Sequence, residues 1–443
     1  MIKKYRKHIL ISLFLLISFL LIRIFKADFS IPFIDFSILF LLSIYIWGAL
    51  KAKLVSLNKS LKLVFTLLFW LPFLLITIAS FALLFYPLNL WPPFFRVYFI
   101  GSLFSYITAL LLPLLFLFMA DIIKWFQMLL ASKKKRNTRA DQLEGKPISR
   151  KKFLVNTGLS LGGVVFGTMG FGMLHGNYHF KIWRHQIAIP NLPKALRGLK
   201  IVHISDLHLG TWASKEPLER AIQYINNLRP DLVVFTGDLV NSKTEEAFPF
   251  QEILSKIKAP QGIYASLGNH DYGHYHKWKN QAEENENWNN LLMFYKNMKW
   301  ELLRNENKFL NIKGEKIQII GVENWSKNPR FPQIGDLNKA YNNQHNSALN
   351  LLLSHDPTHW DEIVESSNKP IHITFSGHTH GFQFGFESSL FRWSPAQYMY
   401  PHWAGIYHNS NKSKYLHVNR GIGAIGFPGR IGIRPDISLI EIV

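Results

Sequence analysis

Apolar and polar positions divide the chain into two halves with different patterns. Five long apolar runs come first, each close to the ~20 residues that cross a bilayer as a helix. They cover residues 9–24, 33–50, 63–86, 97–120 and 153–176. A helix of a soluble bundle shows a polar face at every turn, and these runs do not. The pattern predicts a membrane region at 1–130 with about four transmembrane helices, and a fifth transmembrane or signal-anchor helix at 153–176.

Positive charge predicts the orientation of this region. The first 153 residues contain 21 Lys or Arg, and 18 of these precede the first run, separate the second from the third, or follow the fourth. Because cytoplasmic loops are enriched in Lys and Arg, we expect the N-terminus and the basic linker at 131–152 to be cytoplasmic. The fifth helix would then place residues 177–443 outside the cytoplasm, in a multi-pass protein of the cell membrane. The junction at 149–154 is similar to a twin-arginine export signal with Lys151 at the second arginine position, and ordinary secretion would give the same topology.

From residue 199 onward, short apolar segments of strand type alternate with helical segments, which is typical of an α/β fold. Several of the predicted strands end directly at residues able to bind a metal. These are Asp206 and His208 after the first such strand, Asp238 after the second, Asn269, His270 and Asp271 after the third, His355 after the fourth, and His378 and His380 after the fifth. Because strands packed side by side bring their ends to one edge of a sheet, we expect these side chains to meet.

Two carboxylates, one amide and four imidazoles among these residues form a mixed oxygen and nitrogen ligand set. Taken singly, Asp238 and Asn269 are ordinary turn residues. Taken together, seven donors exceed what one first-row ion binds and suit two ions, which can share a phosphoryl oxygen and a hydroxide. Mn, Fe and Zn fit such donors about equally. The predicted cofactor is therefore a pair of divalent metal ions whose identity the residues leave open.

Composition excludes other classes of site. The net charge is +21, but the residues after Phe153 contain 29 Lys or Arg against 24 Asp or Glu. The basic excess belongs to the membrane half, so nucleic acid is not an expected partner. The chain has no cysteine, which excludes disulfides, thiolate ligands and a cysteine nucleophile.

The order of the motifs resembles that of the calcineurin-like metallophosphoesterase superfamily, in its membrane-anchored bacterial form. The motifs are DLH at 206–208, GD at 237–238, GNHD at 268–271, His355 and GHTH at 377–380. The resemblance covers roughly residues 199–443 and implies an α/β fold of two packed mixed β-sheets flanked by helices, a four-layer sandwich. One departure is Phe382, since GHTHGGQ is the commoner form and this chain has GHTHGFQ. The larger side chain would narrow the entrance for substrate.

The resemblance also implies a role for each motif residue. Asp206, His208 and His380 would bind the first metal, and Asn269, His355 and His378 the second, with Asp238 bridging the two. His270 would contact the phosphate and help to protonate the leaving group. Asp271 would orient His270 from behind.

These features predict an enzyme, a membrane-anchored two-metal phosphoesterase in which a metal-bound hydroxide attacks a phosphate ester. A phosphodiester or a lipid-linked phosphate is the expected substrate, because an apolar anchor keeps the domain beside membrane lipid. The alternative is a non-catalytic membrane sensor or transport-associated module, whose phosphoesterase-like domain would bind a ligand without turnover.

Three groups of residues leave two interpretations open. The segment 382–407 contains nine aromatic residues. It is either a folded flap with its own small core or a surface that enters the membrane interface, where Trp and Tyr are favoured. Arg420, Arg430 and Arg434 either bind phosphate or occupy ordinary surface positions. His203 is either a core residue or a partner of a metal ligand.

Overall fold

Long apolar helices form the amino-terminal part of the described structure. The computed structural model describes residues 30–83, 85–131, 150–342, 346–388 and 391–443. The long helices are α1 (Ser30–Leu54), α2 (Lys59–Ala82), α3 (Pro93–Ala131) and α4 (Arg150–Leu174). All four are long and apolar enough to cross a membrane, and they coincide with the last four predicted runs. The predicted run at 9–24 and the linker residues 132–149 lie outside the described residues.

The chain folds as two compact units. One contains most of the long helices, and within it Ser43 Oγ of α1 lies 3.0 Å from Tyr106 OH of α3. The other contains Tyr86–Gly101 and Met169–Val443. The first residues of α3 and the last residues of α4 therefore belong to the same unit as the carboxyl-terminal domain.

The carboxyl-terminal domain alternates strands and helices, as predicted. Its helices are α5 (Glu216–Asn227), α6 (Gln251–Leu254), α7 (Gln281–Asn297) and α8 (Leu337–Ala340). Its strands are β1 (Lys181–Ile187), β2 (Lys200–Ile204), β3 (Leu232–Phe235), β4 (Ile263–Ala265), β5 (Glu301–Leu302), β6 (Glu306–Ile312), β7 (Glu315–Gly321), β8 (Leu349–Leu353), β9 (Ile373–Ser376), β10 (Phe386–Glu387), β11 (Arg392–Trp393), β12 (Gly405–His408), β13 (Tyr415–Val418) and β14 (Asp436–Ile442).

Two six-stranded mixed sheets confirm the predicted fold class. The strand order is β1-β14-β2-β3-β4-β5 in the first sheet and β12-β13-β9-β8-β7-β6 in the second. Strands β2 to β5 are parallel to one another, and so are β7, β8, β9 and β13. Parallel neighbours present their carboxyl ends at one edge of the sheet. Strands β10 and β11 form a separate antiparallel hairpin.

Alternating side chains on these strands build the layers of the domain. Ile201 of the first sheet and Leu351 of the second share one buried cluster between the sheets. The neighbouring residue Val202 points the other way and packs in the cluster formed with α5 and α7. Leu352 lies with Trp360 in the cluster on the outer face of the second sheet. The period of two in each strand thus gives two sheets that are buried on both faces.

A pair of histidines joins the two sheets. The Nδ1 atoms of His203 on β2 and His417 on β13 lie 2.7 Å apart, and His203 Nε2 lies 2.9 Å from Thr236 Oγ1. Both imidazoles are fully buried. Burial lowers the pKa of His203 to about 3, although Asp206 acts in the opposite direction, and burial also lowers the pKa of His417. Both rings are therefore neutral near pH 7, and His203 occupies a core position, one of the two predicted alternatives.

The histidine pair should make the domain sensitive to acid. Between pH 6.5 and about 3 the unfolded chain binds a proton that folded His203 does not bind, and the lowered pKa of His417 acts in the same direction. The stability is therefore fully present above pH 6.5, and His203 alone lowers it by about 1.4 kcal/mol for each pH unit below that. We expect His417→Asn, which keeps a polar partner for His203, to flatten the fall in thermal denaturation midpoint between pH 6.5 and 4.5. The measurement is Trp fluorescence of the full chain in detergent with a chelator present. His408→Asn, at an exposed position of β12, is the matched control, and equal slopes for wild type and His417→Asn would contradict the prediction.

Candidate metal centre

Five strands end at the same place in the domain. In the first sheet, β2, β3 and β4 lead into Asp206, Asp238 and Asn269. In the second sheet, β8 and β9 lead into His355 and His378. The structure brings all seven predicted donors together at this edge, as the distances below show.

One donor group contains Asp206, His208 and His380. Asp206 Oδ1 lies 3.2 Å from His380 Nε2, and the Nε2 atoms of His208 and His380 are 3.0 Å apart. All three side chains are buried. The three donor atoms are close enough to one another to hold one metal ion.

A second donor group contains Asp238, Asn269, His355 and His378. Asp238 Oδ2 lies 3.2 Å from His355 Nε2, which is itself 3.2 Å from His378 Nδ1. Asn269 Oδ1 lies 2.9 Å from the same His378 nitrogen. Asp238 Oδ2 is also 3.5 Å from His208 Nε2 of the first group. One carboxylate oxygen therefore faces both groups.

These distances fit metal ligation. Metal–ligand bonds of ~2.1 Å place adjacent ligands about 3.0 Å apart in octahedral geometry and about 3.4 Å apart in tetrahedral geometry. The two facing imidazole nitrogens are 3.0 Å apart, so either one proton shared between them or one cation bound to both lone pairs satisfies them. The donor set of carboxylate, amide and imidazole suits Mn, Fe or Zn.

Electrostatics in the site favour an ionised Asp238 carboxylate. Burial opposes ionisation of Asp238, but the imidazoles of His355 and His270 hold its pKa well below the usual value. Burial works against a charged His355 as well, yet the Asp238 carboxylate raises the pKa of this imidazole to about 10. In that state His355 Nε2, which faces Asp238, carries a proton. A metal ligand needs a lone pair on this nitrogen, so a bound cation would displace the proton.

The backbone is strained at the donor positions. Asp206, His208, Asp238, His378 and His380 all have φ between +43° and +70°. Residues other than glycine rarely adopt this left-handed region, and the cost is roughly 1–2 kcal/mol for each. Such strain persists only where the surrounding structure imposes it, and it is concentrated at functional sites.

The structure corrects the expected relation between Asp271 and His270. The Asp271 carboxylate accepts three backbone N–H groups, those of Asp238, Leu239 and Gly268, at 2.8–2.9 Å. It holds the turn that carries Asp238 and the start of the GNHD turn. The His270 ring is oriented by another group, since its Nδ1 lies 2.6 Å from the carbonyl oxygen of Asn241.

Three residues that the motifs did not indicate contact the donors. Tyr275 stacks on the His270 ring at 4.2 Å between centroids, and its hydroxyl accepts the Asn269 amide N–H at 2.9 Å. Tyr400 OH lies 3.0 Å from His378 Nε2, and the buried carboxylate of Asp356 lies 3.4 Å from the same nitrogen. Asp356 directly follows His355 and was visible as a carboxylate next to a ligand. The tyrosines carry no comparable sequence signal.

The three carboxyl-terminal arginines have structural roles that neither interpretation anticipated. Arg420 is buried and pairs with Glu387 and Asp436. Arg430 is also buried and donates Nη2 to backbone carbonyls, among them that of Arg420 at 2.8 Å. Arg434 donates to the carbonyls of residues 179 and 180. Only Arg430 among these three touches a donor, with Nη2 3.3 Å from His380 Nδ1.

Comparison with known families matches this architecture. A family model described as calcineurin-like phosphoesterase matches residues 199–382. The chain contains a calcineurin-like phosphoesterase domain. A second family model, for the transmembrane domain of calcineurin-like phosphoesterases, matches residues 27–177. These two matches confirm the resemblance seen in the motifs. The long apolar helices match the membrane domain found in proteins of this family.

Relatives of the phosphoesterase domain occur in animals and bacteria. A Danio rerio transmembrane protein with metallophosphoesterase domain is 30% identical over 276 residues, 61% of this chain and 59% of its own length. YkuE of Bacillus subtilis, an uncharacterized metallophosphoesterase, is 28% identical over 313 residues, 67% of this chain and 98% of its own. LpxG of Chlamydia trachomatis, a UDP-2,3-diacylglucosamine pyrophosphatase, is 29% identical over 278 residues, which cover 53% of this chain and 81% of LpxG. The chain spans about three fifths of the length of the animal relatives, 59% and 63% for two of them.

The aromatic segment of residues 382–407 has features of both predicted alternatives, the folded flap and the exposed apolar surface. Tyr400 and Trp403 are buried in a small cluster with Ile433, as expected of a folded flap. Phe386 and Phe391 are 56% and 59% exposed. The segment therefore has a core of its own and an apolar surface besides.

Gly377 is required by the close packing of the phosphoesterase site. A Cβ atom at this position would lie 2.0 Å from Ser205 Oγ and 2.2 Å from Asp206 Oδ2. We expect Gly377→Ala to displace the Asp206 carboxylate and to lower the Mn content of the purified full-length protein several-fold, measured by elemental analysis after Mn²⁺ loading. Gly170→Ala, with no atom near the added Cβ, is the control. Undiminished Mn in Gly377→Ala would contradict the assignment of Asp206 to a metal group.

Phe382 stores strain beside the site. It has φ +50° and is 41% exposed, so glycine at this position would relieve the left-handed backbone while losing the buried part of the ring. Phe384 is similarly exposed but has φ −138°, so Phe384→Gly is the control that loses burial without relief of strain. We expect Phe382→Gly to cost about 1 kcal/mol less free energy of unfolding than Phe384→Gly, measured as a smaller fall in thermal denaturation midpoint in detergent. Equal losses in the two variants would show that Phe382 is not strained.

Proposed function

We propose that this chain is a membrane-anchored, metal-dependent phosphoesterase that cleaves a phosphodiester or a lipid-linked phosphate. The observation that carries the proposal is the pair of donor groups that share Asp238 Oδ2, 3.2 Å from His355 Nε2 and 3.5 Å from His208 Nε2. A shared carboxylate between two ion-sized donor groups suits phosphoryl transfer better than a structural metal site, in which every ligand is closed around one ion.

Each donor has a defined task in this proposal. Asp206, His208 and His380 would hold one ion, and Asn269, His355 and His378 the other, with Asp238 common to both. When bound, two divalent ions neutralise charge on the phosphoryl group and activate water for in-line attack. The Asp271 carboxylate keeps the Asp238 turn in place through the backbone N–H groups that it accepts.

His270 is placed to serve the leaving group. The carbonyl of Asn241 can only accept, so His270 Nδ1 must donate to it, and the exchangeable proton of the ring is on Nε2. A ring protonated on both nitrogens would donate Nε2–H to a phosphate or leaving oxygen. Tyr275 and His208 lie against this ring at 4.2 Å and 4.9 Å between centroids, and these contacts restrict its orientation.

The lipid-linked substrate and the sidedness rest on the membrane region. Four described helices can cross a bilayer, and the distribution of Lys and Arg predicts an extracytoplasmic phosphoesterase domain. Among the relatives, the LpxG proteins of two Chlamydia species are named as pyrophosphatases of UDP-2,3-diacylglucosamine, which carries acyl chains. These points favour a substrate whose phosphate is held at a membrane.

The proposal is tested with ethyl 4-nitrophenyl phosphate, a soluble diester in which water adds to phosphorus and 4-nitrophenol leaves. We expect the Mn-loaded full-length protein to hydrolyse it in a metal-dependent way. His270→Ala should lower kcat by about 10²-fold on ethyl phenyl phosphate, whose more basic phenolate needs a proton to leave, and by less on ethyl 4-nitrophenyl phosphate. Its metal content should be unchanged, because this ring is not among the donors. Asp238→Asn should lower metal content and rate together. His274→Ala, at an exposed position in the same turn, is the matched control and should keep both.

Absence of metal-dependent hydrolysis in a fully loaded wild-type protein would overturn the proposal. That result would favour the non-catalytic sensor or transport-associated module. Equal activity of wild type and His270→Ala on ethyl phenyl phosphate would leave hydrolysis standing but remove His270 from the leaving-group role. Metal content, measured on the same samples, separates these two outcomes from simple loss of the ions.

A further inference from the structure

The hairpin of β10 and β11 has an inverted polarity. Phe386 pairs with Trp393 and Glu387 with Arg392, so by the alternation of strands Phe384, Phe386, Phe391 and Trp393 share one side. Phe384 and Trp393 are in ring contact at 6.2 Å between centroids. The three phenylalanines, called here the phenylalanine face, are 46–59% exposed. A hairpin that faced water would turn its charged side outward instead.

The opposite side of the hairpin is charged and is tied to the protein by polar contacts. The Glu387 carboxylate is 7% exposed and pairs with buried Arg420. Arg392 is itself exposed, and it donates Nη1 to the carbonyl of Ala404 at 2.6 Å. These contacts fix the hairpin with its apolar side outward, so the exposure of the phenylalanines is built into the fold. Contiguous exposed apolar surface of this kind marks a contact with a partner or a membrane.

The phenylalanine face lies beside the ends of two membrane-type helices. The loop of residues 421–432 packs on them: the backbone N–H of Arg430 donates to the Gly172 carbonyl of α4 at 3.1 Å. A Cβ at Gly172 would touch Ile431 Cγ1 at 2.8 Å, and one at Gly101 of α3 would touch Pro428 at 2.9 Å. These residues all belong to the same compact unit.

One strand spacing separates this loop from the face. The backbone N–H of Gly385 donates to the Ile431 carbonyl at 2.9 Å, and Phe384 forms a parallel bridge with Ile431. Neighbouring strands lie about 4.8 Å apart. The headgroup zone on each side of a bilayer is about 6 Å deep. A surface about one strand spacing from a loop that itself contacts the last turn of a transmembrane helix therefore lies near headgroup depth.

We infer that the phenylalanine face is a bilayer-contact surface that holds the metal centre at the level of the lipid headgroups. Lipid is favoured over a protein partner, because the adjacent helix ends keep this face close to the bilayer. Aromatic side chains are the ones favoured at such an interface. His380 is four residues before Phe384, at most about 14 Å along the chain. If the proposed function holds, a phosphate in the headgroup layer reaches the donors without leaving the membrane.

The position of the phenylalanine face relative to the bilayer is tested by fluorescence. Because the chain has no cysteine, a single introduced cysteine is the only site that the dye labels. Phe386→Cys and Phe391→Cys are labelled with an environment-sensitive nitrobenzoxadiazole dye in the full-length protein, reconstituted in phosphatidylcholine and phosphatidylglycerol nanodiscs. Met293→Cys on α7, similarly exposed at 52%, is the matched control. We expect quenching by a nitroxide lipid to be at least threefold stronger at 386 and 391 than at 293, with iodide quenching in the reverse order. Equal iodide access and no lipid quenching at all three sites would overturn the inference.

The effect of the phenylalanine face on catalysis is tested with two substrates that share the 4-nitrophenyl phosphate group and differ in their alkyl chain. Phe386→Ser with Phe391→Ser should lower kcat/KM at least fivefold for hexadecyl 4-nitrophenyl phosphate in vesicles, and less than twofold for soluble ethyl 4-nitrophenyl phosphate. Met293→Ser should change neither. Equal losses on both substrates would overturn the role of the face in substrate access. A wild type inactive on both would refute the proposed function, while the quenching result would still decide whether the face contacts lipid.

Discussion

Crowding of buried polar groups at the strand ends is the constraint on which the phosphoesterase domain depends. His208 and His380 point Nε2 atoms at one another across 3.0 Å, and Asp238 faces imidazoles of both donor groups. Groups removed from water at such distances need a proton or a cation between them, because unpaired lone pairs and charges are costly in the interior. The hydrogen-bonded strands on either side keep these groups close, so the same arrangement can accept metal ions in place of those protons.

Rigidity of the strand ends has a cost in backbone strain. Five donors have left-handed backbones, and the His380–Gln383 turn continues that conformation through Phe382. The compensating energy comes from the cores on both faces of each sheet. The histidine pair between β2 and β13 adds a polar contact at the centre of this packing, within three residues of Asp206. The packing energy of the two sheets thus holds the strained donor positions in place at the sheet edge.

The loop of residues 421–432 contacts three features of one compact unit. It lies against the last turn of α4 through Arg430 and Ile431, while the Arg430 side chain reaches His380. The same loop bridges to Phe384 and so supports the hairpin. The membrane-helix end, one metal group and the phenylalanine face are therefore held by a single segment. This arrangement explains why Arg430 is buried.

The sequence by itself predicted the long apolar helices, the alternation of strands and helices, and the seven side chains proposed as metal donors, because each depends on local order along the chain. Hydropathy measures length against a bilayer, and a donor directly after a strand is a local pattern. Only the tertiary structure decided what Asp271 holds, what orients His270, where Tyr275 and Tyr400 lie, and which side of the hairpin faces outward. Those features depend on backbone N–H groups and rings from segments far apart in sequence, such as Asn241 and His270 or Glu387 and Arg420. No spacing along the chain encodes contacts that exist only after the sheets have packed.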